Sequence, residues 1–96
     1  NICTNQGLLA LRATVHLGAL GPAGLRETAE LCLRKARHAA GELAKLPGVR
    51  LTSSAPFFKE FTVELPRPAA AVADELVGKG YLAGLPAGRY FPGREN

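Results

Sequence analysis

The sequence has 96 residues, enough for one small domain with a modest hydrophobic core. Because 47% of the residues are hydrophobic, the chain is expected to fold, and intrinsic disorder is excluded. The net charge is +4, but acidic residues separate most of the basic ones, and the densest basic group lies on the outer face of a predicted helix, so no nucleic-acid partner is predicted.

The chain begins with Asn-Ile-Cys and contains no methionine, so we expect it to be part of a longer protein. No apolar run approaches the roughly 18 residues that cross a bilayer, and no membrane partner is predicted. The two cysteines, Cys3 and Cys32, lack the spacing of a metal site or of a disulfide framework. Reduced thiols in a cytoplasmic protein are therefore expected.

The first predicted element is a helix over residues 5–20, with the Thr4 hydroxyl as its N-terminal cap. Its apolar residues form two stripes at helical spacing: Leu8, Leu11 and Val15, and Leu9, Ala13 and Leu17. Because two stripes cover most of the helix surface, this helix is expected to pack in the middle of a larger protein. Gly21-Pro22 ends it and starts the next helix.

The second helix is predicted over residues 22–46, and Pro47-Gly48 stops it. Its predicted buried stripe consists of Leu25, Ala29, Cys32, Ala36, Ala39 and Leu43. The basic group on the other face is predicted to be solvated; it consists of Arg34, Lys35, Arg37 and His38.

Two strands are predicted next, over residues 49–53 and 57–65, and the second alternates between apolar and polar residues. A third helix over residues 69–79 and a short strand at 81–83 complete the order α-α-β-β-α-β. This pattern predicts an α+β fold in which helices cover an antiparallel sheet. The final stretch, "GLPAGRYFPGREN", is predicted to be a loop that approaches a ligand, and the sequence is expected to be truncated at both ends.

No catalytic motif is visible in the sequence. The only histidines, His16 and His38, lie on predicted helices, and no lysine has the context of a buried Schiff-base lysine. Residue patterns alone therefore indicate a small α+β domain of a larger protein and nothing more specific.

Two stretches resemble a known family. "NICTNQGLLALRATVHLGALGPAGLRETAE" and "GLPAGRYFPGREN" are similar to the glycine cleavage system P-protein, and most similar to the first subunit of its split, two-subunit form. The intervening "KLPGVRLTSSAPFFKEFTVELP" also resembles this family in the order and the character of its residues. The family more often has alanine where Gly7 stands, which affects helix propensity and not function.

The resemblance implies the C-terminal small domain of a fold-type I pyridoxal-phosphate enzyme. Residues 1–22 would be the end of a loop and the connecting helix from a missing large domain, and residues 23–96 the small domain, truncated at its C-terminus. The implied enzyme decarboxylates glycine through a pyridoxal-phosphate aldimine and transfers the aminomethyl group to the lipoyl arm of H-protein. In the split form the Schiff-base lysine is expected on the second subunit of a heterotetramer.

The resemblance also suggests candidate site residues. Arg89 is a candidate substrate-carboxylate ligand by analogy with other fold-type I enzymes, with Arg94 as the runner-up, although an interface role for Arg89 is favoured. Thr4 and Asn5 could border the substrate channel, together with Asn1 and Gln6. No residue is assigned to catalysis or to cofactor or metal binding.

Two alternatives stay open. The chain could be the small domain of an aminotransferase or of a desulfurase, and the latter would need an activated cysteine such as Cys3. It could also be a non-catalytic α+β ligand-binding or regulatory module, although the two stripes of the first helix argue against a free module.

Overall fold

The computed structural model describes residues 6–96, and its longest element is helix α1, Gln6–Leu43. Gly21 interrupts this helix with a non-helical backbone (φ 60°, ψ −178°), and Pro22 follows directly. Proline suits the first turn of a helix because its missing N–H would have no intrahelical acceptor there. The predicted break at Gly21-Pro22 is therefore confirmed, and α1 consists of two helical segments.

The first segment of α1, residues 6–20, exposes its apolar side chains. Leu8 is 61% exposed and Val15 is 63% exposed, so both predicted stripes lack cover within the part of the chain that the structure describes. By length and composition α1 could cross a membrane, contrary to the expectation from its sequence, but one such helix is weak evidence. Residues 6–20 alone rise only about 22 Å, less than the roughly 30 Å of a hydrocarbon core.

The second segment of α1 carries the single buried hydrophobic residue found within residues 6–96, Ala40, which is 3% exposed. The predicted stripe is partly wrong, because Leu25 and Ala39 are exposed. The half-buried positions are Ala29, Cys32, Leu33, Ala36 and Leu43. They lie with Ala40 on one face because the spacing of three and four residues continues through Ala40 instead of Ala39.

The sheet consists of β1, Arg50–Leu51, and β2, Val63–Glu64, which pair antiparallel. The Thr52 N–H donates to the Thr62 carbonyl at 3.0 Å and extends the pairing by one residue. Arg50 pairs with Glu64 across the strands, with Nη2 at 2.8 and 2.7 Å from the two carboxylate oxygens. This hydrogen bonding, together with the charge attraction, raises the pKa of Arg50 and favours the observed register.

Helix α2, Ala69–Val77, follows the sheet, and Gly78 ends it two residues earlier than predicted. Val72 and Ala73 of α2 line an apolar groove of about 180 Å³ together with Val63 and Leu65. The helix therefore lies beside β2, as an α+β fold requires. The predicted strand at residues 81–83 is wrong: this segment is exposed and irregular, and a 3-10 helix, Ala87–Arg89, is the last element.

Gly41 allows a test of the second α1 segment. A β-carbon at this helical position would meet no other atom within 4 Å. Gly41→Ala is therefore expected to raise the free energy of unfolding by up to about 1 kcal/mol, the difference in helix propensity between the two residues. Urea denaturation measures this change, and a loss of stability would show that residue 41 is not in an open helical position.

The ion pair between Arg67 and Glu75 joins the turn before α2 to the last turn of that helix. Arg67 donates to both carboxylate oxygens of Glu75, and these hydrogen bonds, followed by the charge attraction, lower the pKa of Glu75. Because the folded-state pKa lies below the unfolded value, the pair stabilises the fold above the unfolded pKa, and its contribution is lost as the pH falls through the folded pKa.

Arg67→Ala is expected to raise the pKa of Glu75 toward its ordinary value, since the hydrogen bonds and the charge attraction of Arg67 disappear and only the weaker attraction of Lys79 still lowers it. The NMR chemical shift of the Glu75 side-chain carboxyl carbon, followed as a function of pH, measures this pKa. Arg50→Ala is the matched control, because Arg50 pairs with Glu64 and not with Glu75. An unchanged pKa in the Arg67 variant would disprove the pairing in solution.

Candidate functional site

The stretch that the sequence predicted to be a ligand-approaching loop contains an ordered turn. We call residues 87–91 the arginine turn; it comprises the 3-10 helix Ala87–Arg89 and the two aromatic residues that follow. The N–H groups of Tyr90 and Phe91 both donate to the Ala87 carbonyl at 2.9 Å, and the Arg89 N–H donates to the Pro86 carbonyl at 3.2 Å. These hydrogen bonds fix the backbone conformation at Arg89.

The segment that follows holds the arginine turn against α2. A β-carbon on Gly88 would lie 3.0 Å from both the Arg94 carbonyl oxygen and the Glu95 Cα, so any other residue would push these backbones apart by a few tenths of an ångström. The Glu95 carbonyl accepts the Ala69 N–H at 2.8 Å. Pro68 gives α2 no side-chain cap, so Glu95 satisfies one of the N–H groups that a helix start leaves without an intrahelical partner.

Arg89 lies on the surface of the arginine turn. Its guanidinium carbon is 5.9 Å from the centroid of the Tyr90 ring, within the range of a cation–π contact. Among residues 6–96 Arg89 forms no ion pair. Its donors are therefore available to a carboxylate of a ligand or of another protein chain.

Arg94, the runner-up, lies in a different place. It lines a polar groove of about 480 Å³ together with Arg50, Thr52, Thr62 and Glu64. Arg89 is not among the lining residues, so the structure does not bring the two candidate arginines into one pocket. The groove offers guanidinium and hydroxyl donors to a small anionic group, although Glu64 already binds Arg50.

The other candidates give no site of their own. Thr4 and Asn5, and also Asn1, lie outside the described residues, and Gln6 is exposed at the start of α1. The lysines in the described part of the chain, Lys35, Lys45, Lys59 and Lys79, are all exposed. A Schiff-base lysine needs a desolvated pocket, so these residues do not fit a covalent pyridoxal-phosphate site. The described residues also contain no group of three potential metal ligands.

Sequence reasoning missed Gly88 and Glu95, which hold the turn. The role of Glu95 depends on its backbone carbonyl, which every residue type has, so no sequence signal could have found it. Gly88 was part of a visible glycine-rich stretch, but its tight contact depends on residues 94 and 95 folding back over it.

These features define the class of protein. An α+β unit with one buried hydrophobic residue among those described, and with an exposed arginine beside aromatic side chains, is typical of one part of a larger protein. A large apolar patch that is exposed on one part of a protein marks a surface that another part or a partner covers in the functional protein.

The chain belongs to the glycine cleavage system P-protein family, which matches residues 1–88. It is 54% identical over its whole length to a probable glycine dehydrogenase (decarboxylating) subunit 1 from Nitratidesulfovibrio vulgaris (strain DP4) and covers 22% of that protein. A protein of the same name from Thermomicrobium roseum is 46% identical over the whole chain, which covers 21% of it. A third protein of this name, from Chlorobium limicola, is 52% identical over 88% of the chain, and the matched part covers 19% of that protein.

The chain thus spans about a fifth of the length of the curated relatives that it matches. No solved structure matches it. The family match favours the P-protein over the aminotransferase, desulfurase and regulatory-module alternatives that the sequence left open.

Proposed function

We propose that this chain is part of the first subunit of a two-subunit glycine dehydrogenase (decarboxylating). The proposed enzyme decarboxylates glycine with pyridoxal phosphate and transfers the aminomethyl group to the lipoyl arm of H-protein. The observation that carries the proposal is the identity of 54% over the whole chain to a protein named as subunit 1 of this enzyme. The family match over residues 1–88 supports it independently.

We infer that pyridoxal phosphate is held by the second subunit or by residues outside this chain. The relatives' name, subunit 1, supports this division of labour, because it implies a second subunit that can hold the cofactor lysine. When bound, the cofactor supplies the electron sink for decarboxylation, and the protein orients the substrate. The partners are then the second subunit, in a heterotetramer, and lipoylated H-protein, in the cytoplasm.

In this proposal residues 1–22 lead from a large domain into a small fold-type I domain formed by residues 23–96. The exposed apolar residues of the first α1 segment support such an arrangement, since they need a neighbouring surface. Arg89 serves at the interface with the second subunit, and Arg94 is the alternative ligand for an anionic group.

The experiment is exchange of labelled bicarbonate into the carboxyl group of glycine, with H-protein added. The full-length subunit that carries this chain is assayed alone and together with its second subunit. Exchange only in the mixture is the expected result. Exchange by the first subunit alone would place the cofactor lysine in that subunit, outside residues 6–96. No exchange with folded proteins would refute the glycine dehydrogenase assignment.

A further inference from the structure

The sequence around β2 is that of a longer strand than the structure forms. Residues 60–65 alternate between polar and apolar side chains, which is the pattern of a strand with one packed face. Only Val63–Glu64 of this stretch form β2, and the sheet has two strands within the part of the chain that the structure describes. One edge of β2, which we call its outer edge, therefore has no strand beside it among residues 6–96.

The register shows which backbone groups of β2 face the outer edge. The Thr52 N–H donates to the Thr62 carbonyl at 3.0 Å, so these two residues are a hydrogen-bonded pair. Hydrogen-bonded and non-hydrogen-bonded pairs alternate along an antiparallel ladder. The N–H and C=O groups of Val63, which faces Leu51, therefore point away from β1. Backbone groups exposed in this way along a strand edge are a template for a further strand.

The two faces of β2 border two different grooves. The apolar groove of about 180 Å³ is lined by Phe61, Val63 and Leu65, and it separates them from α2. The polar groove of about 480 Å³ is lined by Thr62 and Glu64. An apolar cavity of roughly 150 Å³ holds a benzene-sized group, so the apolar groove has room for a large apolar side chain. A strand at the outer edge would place alternate side chains on the two sides.

Asn96 lies beside the outer edge. It lines both grooves, and the apolar groove is lined by residues of β2 but by none of β1. The Ala69 N–H donates to the carbonyl of the preceding Glu95 at 2.8 Å, which anchors this position to the start of α2. A segment joined to Asn96 would meet the outer edge without a long connection, and pairing within one polypeptide needs no association from solution. Since the chain spans about a fifth of the length of its relatives, polypeptide for such a strand exists in the same subunit.

We propose that the outer edge of β2 pairs with a third strand, supplied by the same polypeptide from outside these 96 residues. Apolar side chains at every second position of that strand fill the groove beside α2, and its backbone groups bond to those of Val63. The proposal needs a longer polypeptide, which the length of the relatives supports, and it does not depend on the reaction under the proposed function.

The test is amide hydrogen exchange, resolved to single residues, in the full-length first subunit without its partner. The Val63 amide is expected to exchange at least about 100-fold more slowly than in an unstructured peptide, because the third strand accepts its hydrogen bond. An unprotected Val63 amide would overturn the proposal. Protection that arises only when the second subunit is added would also overturn it, because the strand would then come from the partner.

Val63→Pro separates pairing from simple burial. Proline removes the outward N–H and leaves the bonds to β1 in place, so the Phe61 and Leu65 amides should exchange at least about tenfold faster and the Thr52 amide at an unchanged rate. Leu51→Pro is the matched control, because Leu51 is also half-buried and directs its N–H out of the opposite edge of the sheet. It should leave the Phe61 and Leu65 amides protected.

Unchanged exchange of Phe61 and Leu65 in the Val63 variant would show burial without pairing and would contradict the third strand. The wild-type measurement needs no variant, so it decides the proposal even if the proline variant fails to fold. Activity is a separate result: a protected Val63 amide in a subunit pair that does not exchange bicarbonate would refute the proposed function alone.

Discussion

Replacing Gly48 by alanine is expected to lower the free energy of unfolding of the full-length subunit by about 2–3 kcal/mol. Gly48 has a φ of +77°, a left-handed conformation in which a β-carbon is strained. That β-carbon would also lie 2.9 Å from the Pro66 Cβ and 3.1 Å from its Cγ. Because the proline ring is rigid and directly follows Leu65 of the groove beside β2, it cannot move aside without shifting the sheet. Urea denaturation with a fixed m-value measures the loss.

Gly41→Ala is the control for this experiment. It makes the same chemical change a few residues earlier, at a helical position with open space, and is expected to stabilise the protein. Opposite signs for the two variants would support the left-handed turn at Gly48. Equal effects would contradict the close contact between Gly48 and Pro66.

Gly88→Ala is expected to detach residues 94–96 from the start of α2. The added methyl group meets two backbone atoms at 3.0 Å, and backbone cannot rotate away as a flexible side chain can. The hydrogen bond from the Ala69 N–H to the Glu95 carbonyl is then lost. We expect a destabilisation of about 2 kcal/mol and exchange of the Ala69 amide hydrogen that is at least about tenfold faster.

Amide hydrogen exchange followed by NMR measures this effect at a single residue. Gly78→Ala is the matched control, because its β-carbon would meet the nearest atom, the Glu75 carbonyl oxygen, at an ordinary 3.4 Å. The control should leave the Ala69 amide protected. Unchanged protection in the Gly88 variant would mean that residue 88 does not hold the segment in place.

Glycine and proline made two of the helix boundaries predictable, whereas α1 ends at Leu43 and not at the predicted residue 46 before Pro47-Gly48. Gly21-Pro22 divides α1 as predicted, and Gly78 ends α2 within two residues of the predicted end, because these residues act through local backbone geometry. Strand lengths were not predictable. The alternation over residues 57–65 reports one-sided burial, whereas pairing needs a facing strand, and only residues 50–52 provide one.

The candidate site was predictable in part. The glycines and prolines of the final stretch predicted a loop, and the structure exposes Arg89, Tyr90 and Phe91 together there. The separation of Arg89 from the groove that Arg94 lines was not predictable, because it follows from the fold-back of residues 93–95. That fold-back depends on backbone contacts, which every residue type can make and which no sequence pattern therefore predicts.

The bond between Glu95 and Ala69 has a consequence for where the cooperative folding unit ends. The family match stops at residue 88, yet the first turn of α2 depends on a carbonyl seven residues later. A polypeptide shortened to the matched region would leave that turn without its acceptor and free to fray. Residues 89–95 therefore belong to the same folding unit as α2, and any dissection of this protein should keep them with the helix that they complete.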